Sequence, residues 1–210
     1  VLSKNGTQVE FVFFPWIQSQ KKGGERSFTG YFPAWKEEVL PGFRASRTLF
    51  TSPVVFVENK DRPLKWEKLE DLAGKTFGVT AGYGNTKEFN ELVAKKTIKV
   101  ETVLAEETLF RKLVNKEIDG ILIDSSVALY YLTVVYPEYA KVLQLESRVI
   151  ENKSLHFAFN GYSTPRADFF NKILKTVEFQ EEVESYLKKH GKESSIELKQ
   201  PSIVRVGSVL

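Results

Sequence analysis

The sequence predicts an α/β protein built around a parallel, doubly wound sheet. Between residues 76 and 145, apolar runs of strand length alternate with apolar stripes at helical spacing. A β-α-β rhythm of this kind, with right-handed crossovers, favours parallel strands covered by helices on both faces. Just before it lies the polar run Glu58-Asn59-Lys60-Asp61-Arg62-Pro63, which reads as a lobe boundary. A chain of 210 residues has room for two lobes of about 100 residues each.

Composition removes several function classes. Hydrophobic residues make up 42% and charged residues 27% of the chain, an ordinary balance for a folded protein. No run of 18 apolar residues occurs, so no spanning helix is expected. Cysteine is absent, which excludes disulfides, thiolate metal sites and a cysteine nucleophile. The two histidines, His156 and His190, are far apart, so a histidine metal cluster is not expected. A net charge of +3 is too small a bias to argue for nucleic acid. No secretory signal peptide opens the chain. Its first residues read as a helix end and a turn, so it is expected to begin inside a domain.

The elements follow in order. Residues 9–14 are β-branched and aromatic and read as a strand that Pro15 ends; a helix follows to about Lys22, where Gly23-Gly24 breaks it. Residues 28–35 read as a strand running into a loop, and 54–57 as a buried strand. Strands are then expected at 76–80, 98–102, 118–123 and 141–145. Helices are expected at 86–96, at 106–116 with two acids in its first turn, and from 125 through Leu132, capped by Ser125-Ser126. After a strand at 155–159, Ser163-Thr164-Pro165 starts a helix. Its stripe of Phe169, Phe170, Ile173, Leu174 and Val177 is out of phase with Phe179, Val183, Tyr186 and Leu187. Either two helices meet near 177–179 or the pattern lacks a residue there. The tail, 194–210, reads as a strand or an added extension.

In open parallel sheets, ligands bind outside the carboxyl ends of the strands. Two segments lie there. One is the loop Thr80-Ala81-Gly82-Tyr83-Gly84-Asn85-Thr86, whose glycines let backbone approach a ligand and whose following helix offers unpaired N–H donors. The other is Asp124, whose carboxylate can face a cation. Donors on one segment and an acid on the other suit a zwitterion. Helix capping is the alternative role for both Asp124 and Thr86. A third feature is Arg44 in Phe43-Arg44-Ala45-Ser46-Arg47, since an arginine fork binds a carboxylate bidentately; Arg44 and Arg47 could equally be surface charges. Tyr31, Phe32 and Trp35 read as core or as a ligand-stacking wall, and Trp16 as core. The candidate ligand-binding residues are thus Arg44, Asp124, Thr86, Tyr83, Gly82 and Trp35. There is no dinucleotide fingerprint, phosphate-binding GK[ST] or nucleophile elbow, and no catalytic acid pair stands out, so neither cofactor nor catalysis is expected.

Taken together, several stretches resemble a known family. Residues 9–16, then Arg44 six residues before Phe50-Thr51-Ser52-Pro53, resemble the family pattern TPER…FSDP. Residues 69–79 resemble its second-lobe opening, and 113–124 its later strand ending in Asp. The match, over about residues 7–190, is to the bacterial extracellular solute-binding proteins of family 3, which serve ABC transporters for polar amino acids.

The resemblance implies a type II periplasmic-binding-protein fold, each lobe a mostly parallel sheet flanked by helices and the first lobe lacking its N-terminal strand. Its first lobe would comprise 1–57 and the return strand and helices of 154–210, its second lobe 58–153, with hinge strands crossing near 54–58 and 154–159. It implies ligand capture by hinge closure, with Arg44 on a carboxylate, Asp124 on an ammonium and the loop 82–86 as a lobe-two cradle. It further implies a monomer with no enzymatic activity, working with permease subunits in the periplasm or lipid-anchored at the outer face of the cytoplasmic membrane. Other roles on this scaffold are a dehydratase-like or murein-cleaving enzyme, which would need an acid such as Glu37 or Glu38 over the ligand, and a sensing module of a membrane receptor. The chain departs from the family at several points. The family's first strand and aromatic stacking residue have no counterpart, Glu37 and Val39 replace Ser/Thr before the arginine, and the loop 81–86 is longer than the family's GTT.

Overall fold

The computed structural model describes residues 6–176, 185 and 202–208. The chain divides into two compact units, one of 1–51 with 154–210 and the other of 52–153. It passes from one unit to the other inside two ten-residue strands, β4 (Phe50–Asn59) and β9 (Glu151–Asn160).

The second unit follows the predicted rhythm. Its sheet contains β5 (Thr76–Thr80), β6 (Lys99–Val103) and β7 (Gly120–Asp124), with α2 (Lys87–Ala94) after β5, α3 (Glu106–Val114) after β6 and α4 (Ser125–Tyr130) after β7. β5 runs parallel to both β6 and β7. Alternation along the strands sorts the core onto two faces. Phe56 and Phe77 pack with Phe89 of α2 on one side. Val57, Ile121 and Ile123 pack with Leu109, Phe110 and Leu113 of α3 on the other. Gly78 marks how closely α3 seats: a Cβ there would lie 2.5 Å from Leu109 Cδ2.

Two local expectations change. The strand expected at 141–145 is the short β8 (Leu143–Leu145), and it pairs antiparallel with β4, not parallel within the wound sheet. β4 also pairs antiparallel with β7, so it lies between β7 and β8. The helix expected to reach Leu132 ends at Tyr130 and widens into a π-helical turn, Tyr131–Val135, closed by Tyr136 N–H donating to the Tyr131 carbonyl at 2.7 Å.

The first unit contains β1 (Thr7–Phe13), α1 (Trp16–Gly23), β2 (Gly30–Trp35), β3 (Phe43–Ala45) and α5 (Thr164–Ile173), with β10 (Ser202–Ser208) as the strand of the tail. Its described ladders are all antiparallel: β1–β10, β10–β2, β2–β9 and β3–β9. A mostly parallel sheet in each lobe therefore describes β5, β6 and β7 but not this unit. Two of these ladders follow from β9, which runs antiparallel to β2 and β3, and two from the position of β10. β1 and β2, joined by α1, run in the same direction, as a crossover requires. β10 comes from the far end of the chain and lies between them, converting one parallel neighbour pair into two antiparallel ones. The stripe at 179–187 lies outside the described residues.

Burial in the first unit centres on Tyr31, fully enclosed between the rings of Trp16 and Phe43. Its hydroxyl donates to the Glu38 carbonyl at 2.7 Å and accepts the Leu40 N–H at 2.9 Å. Phe157 and Phe159 of β9 pack with Phe170 and Ala167 of α5. At the end of β9, buried Asn160 uses its amide nitrogen on three carbonyls, those of Gly23 (2.9 Å), Glu25 (3.2 Å) and Phe28 (2.7 Å).

Candidate functional site

Parallel neighbours end on the same edge of a sheet, so β5 and β7 deliver the segments that follow them to one place in the second unit. After β5 the chain makes a tight turn. Tyr83 N–H donates to the Thr80 carbonyl at 3.2 Å and Gly82 takes a φ of +81°. Left-handed φ at the third position of a turn favours glycine, which explains the residue there. Ala81 N–H holds the turn to β6 through the Val103 carbonyl at 2.7 Å. The Tyr83 hydroxyl donates to the carboxylate of Glu106, the first residue of α3. Thr86 is 2% exposed and caps α2, its Oγ1 accepting the Phe89 N–H at 3.3 Å.

Asp124 ends β7 and caps α4. Its Oδ1 accepts the N–H groups of Ser126 at 2.7 Å and Val127 at 3.2 Å. Asp124 therefore supplies the cap expected of Ser125-Ser126, because a residue at the strand end reaches the two N–H groups that follow it. Burial pushes its carboxyl above the ordinary value of 3.8, while those N–H bonds and the Ser126 side chain pull it back down. A carboxylate in that condition gains from a cation placed beside it.

The first unit holds the other two candidates. Arg44 lies on β3 opposite Phe159 of β9. Its guanidinium is 2.7 Å from Asp168 of α5, with side chains 51% and 60% exposed. Trp35 is a core side chain, 7% exposed, at the end of β2. The backbone N–H of Trp35 donates to Glu38 Oε2 at 2.8 Å. Buried Glu38, one of the two acids considered for catalysis, thus holds together the turn that follows Trp35. Arg47 N–H is taken by Asn171 Oδ1 at 2.7 Å.

The structure thus gathers Gly82, Tyr83, Thr86 and Asp124 on one sheet edge of the second unit, and sets Arg44 and Trp35 in the first. Glu106 and Asp168 are the residues that sequence reasoning missed. The signal for Glu106 was present: it follows a third parallel strand of the same sheet. Asp168 carries no such signal, because only the pairing of β3 with β9 brings α5 to Arg44. A groove of about 350 Å³ in the second unit is lined by other residues, among them Trp66, Glu88, Glu91 and Arg148. No described helix is long and apolar enough to cross a membrane.

No family model matches the chain, and no curated protein does. Solved structures do. Holo ArgBP from T. maritima shares 20% identity, with 84% of this chain and 76% of that one covered and a TM-score of 0.64. An arginine 3rd transport system periplasmic binding protein from Legionella pneumophila shares 19% identity over 78% of this chain and 70% of that one, at a TM-score of 0.58. An ancestral amino acid-binding protein, a precursor of cyclohexadienyl dehydratase, shares 21% identity over 86% and 76%, at 0.63. The fold is that of the two-lobe periplasmic binding proteins. In this periplasmic-binding-protein fold the carboxyl edge of β5, β6 and β7 belongs wholly to one unit and the Arg44–Asp168 pair wholly to the other.

Proposed function

We propose that this protein is an extracytoplasmic solute-binding protein that captures a free amino acid and hands it to a membrane permease. Arg44 takes the ligand's carboxylate, Asp124 its ammonium, and the turn at Gly82–Tyr83 with the start of α2 at Thr86 supplies further polar contacts. The observation that carries this reading is Asp124. Its carboxyl is buried enough to be pushed up, it ends a strand on the ligand-accepting edge of a parallel sheet, and a ligand ammonium would relieve it. A ligand held by groups from both units binds the closed arrangement better than the open one, which is what drives hinge closure. The amino-acid-binding proteins among the structural neighbours support the class of ligand.

The test is calorimetric titration of the purified chain with free L-amino acids, preceded by native mass spectrometry for a co-purified small molecule. Binding of at least one amino acid, lost in Arg44→Ala and in Asp124→Asn, is expected. Unchanged binding in either variant removes that residue from the site. The neighbour described as a dehydratase precursor favours a second reading, an enzyme on the same scaffold. Turnover of a bound ligand followed by NMR would separate it from pure binding.

A further inference from the structure

Arg44 already has an anion. Its Nη2 lies 2.7 Å from Asp168 Oδ1, and both side chains are more than half exposed. The fold builds this contact. β3 pairs with the last residues of β9, Phe43 opposite Asn160, and α5 starts immediately after β9 through the turn Gly161–Ser163. An ion pair so exposed contributes little to folding, so its effect is sought in what else Arg44 binds.

We propose that Asp168 is a built-in competitor for the guanidinium of Arg44, holding it in the ligand-free protein and weakening capture of the ligand's carboxylate. This rests on the reading of Arg44 given above. A guanidinium has five N–H donors, so a ligand carboxylate can bind beside Asp168 or displace it. In the first case two like charges share one cation; in the second an existing ion pair is lost. Both lower the affinity, and neither acts on a ligand without a carboxylate. The opposite role, Asp168 steadying Arg44 for the ligand, would give the opposite sign.

The experiment titrates the full chain, its Asp168→Asn variant and its Arg44→Ala variant with L-arginine, L-glutamate and L-glutamine at low salt, then with the methyl ester of whichever binds best. Asp168→Asn is expected to bind the amino acid about two- to fivefold tighter, the range an exposed ion pair spans. The gain should shrink as salt is raised, and the ester should bind both proteins equally. Equal or weaker binding of the amino acid by Asp168→Asn overturns the proposal, as does an equal gain with the ester. Loss of binding in Arg44→Ala beside no change in Asp168→Asn rejects the competitor alone. Full binding by Arg44→Ala rejects the reading of Arg44 with it; where none of the three amino acids binds the wild-type chain, the remaining free L-amino acids are titrated in the same way, and failure of all of them rejects that reading too.

Discussion

The Tyr83 hydroxyl donates a hydrogen bond to the Glu106 carboxylate, tying the loop that leaves β5 to the first turn of α3. The acid sits where the helix dipole favours it, so the acceptor is fixed by its own helix and the loop is held from outside. Tyr83→Phe removes the donor and keeps the ring. It should lower stability by about 1 kcal/mol and, on the proposed function, weaken amino-acid binding about fivefold, because the loop must then be ordered by the ligand. Glu106→Gln keeps an acceptor and should do less on both counts. Urea denaturation and calorimetry read the two effects separately; unchanged binding in Tyr83→Phe would show that the tie does not position the loop.

Asp124 combines a helix cap with a half-buried charge, and two substitutions part these roles. Asparagine caps nearly as well as aspartate, whereas alanine does not. Asp124→Ala should cost about 1 kcal/mol of cap stability, and Asp124→Asn should keep the cap while losing the negative charge that the proposed function assigns to a ligand ammonium. The pH dependence has a definite sign. The folded-state pKa of Asp124 is raised above 3.8, so the folded state holds its proton more tightly than the unfolded chain. This group therefore favours folding below 3.8, and that contribution is lost as pH rises through the folded-state value. Asp124→Asn should thus be no more stable than wild type in acid and should gain relative to it on the way to neutrality. Denaturation curves across this range check it, and a difference independent of pH would contradict it.

Both helices α2 and α3 end in the same way, with a lysine where glycine is the usual residue. Lys96 and Lys116 have φ of 58° and 60°. In each case the next residue donates back into the last helical turn, Thr97 N–H to the Leu92 carbonyl and Glu117 N–H to the Lys112 carbonyl, both at 2.9 Å. A side chain in the left-handed region costs about 1–2 kcal/mol, and glycine avoids that cost at the expense of a freer unfolded chain. Lys96→Gly and Lys116→Gly should therefore each stabilise the second unit by about 0.5–1 kcal/mol, additively because the two turns are separate. The midpoint of chemical denaturation measures this, and a lower midpoint for either variant would contradict it.

The second unit could be read from sequence because its information is local. The strand at 76–80 has β-branched and aromatic residues flanked by polar turns, α2 opens on a threonine cap, and α3 carries its acids at one end and its bases at the other. Each signal lies within a dozen residues of what it specifies. The first unit could not be read so far. Its sheet order depends on β10, nearly 170 residues beyond β2, and no periodicity states where such a strand inserts. The same limit applies to the site. The turn at Gly82 and the strand end at Asp124 announce themselves locally. The Arg44–Asp168 pair needs the β3–β9 register before it can be seen, and Trp35 looks the same in sequence whether it stacks on a ligand or fills a core.

Asn160 shows how one buried amide can hold a connection that has no regular structure of its own. Its nitrogen reaches the carbonyls of Gly23, Glu25 and Phe28, which span the segment from the end of α1 to the approach of β2. Asn160 is 3% exposed, and its bond to the Gly23 carbonyl is buried, so that carbonyl has no ready substitute donor in water. Asn160→Ala should cost about 2–3 kcal/mol, from the lost bonds together with the buried Gly23 carbonyl left unpaired. Asn160→Asp is the sharper probe. It keeps the shape but turns an oxygen toward three oxygens, so it should destabilise more than alanine does, and protonation in acid should narrow the gap between the two. Amide hydrogen exchange over residues 23–30 should quicken in both variants. If aspartate proves as stable as asparagine at neutral pH, the amide is not what closes this connection.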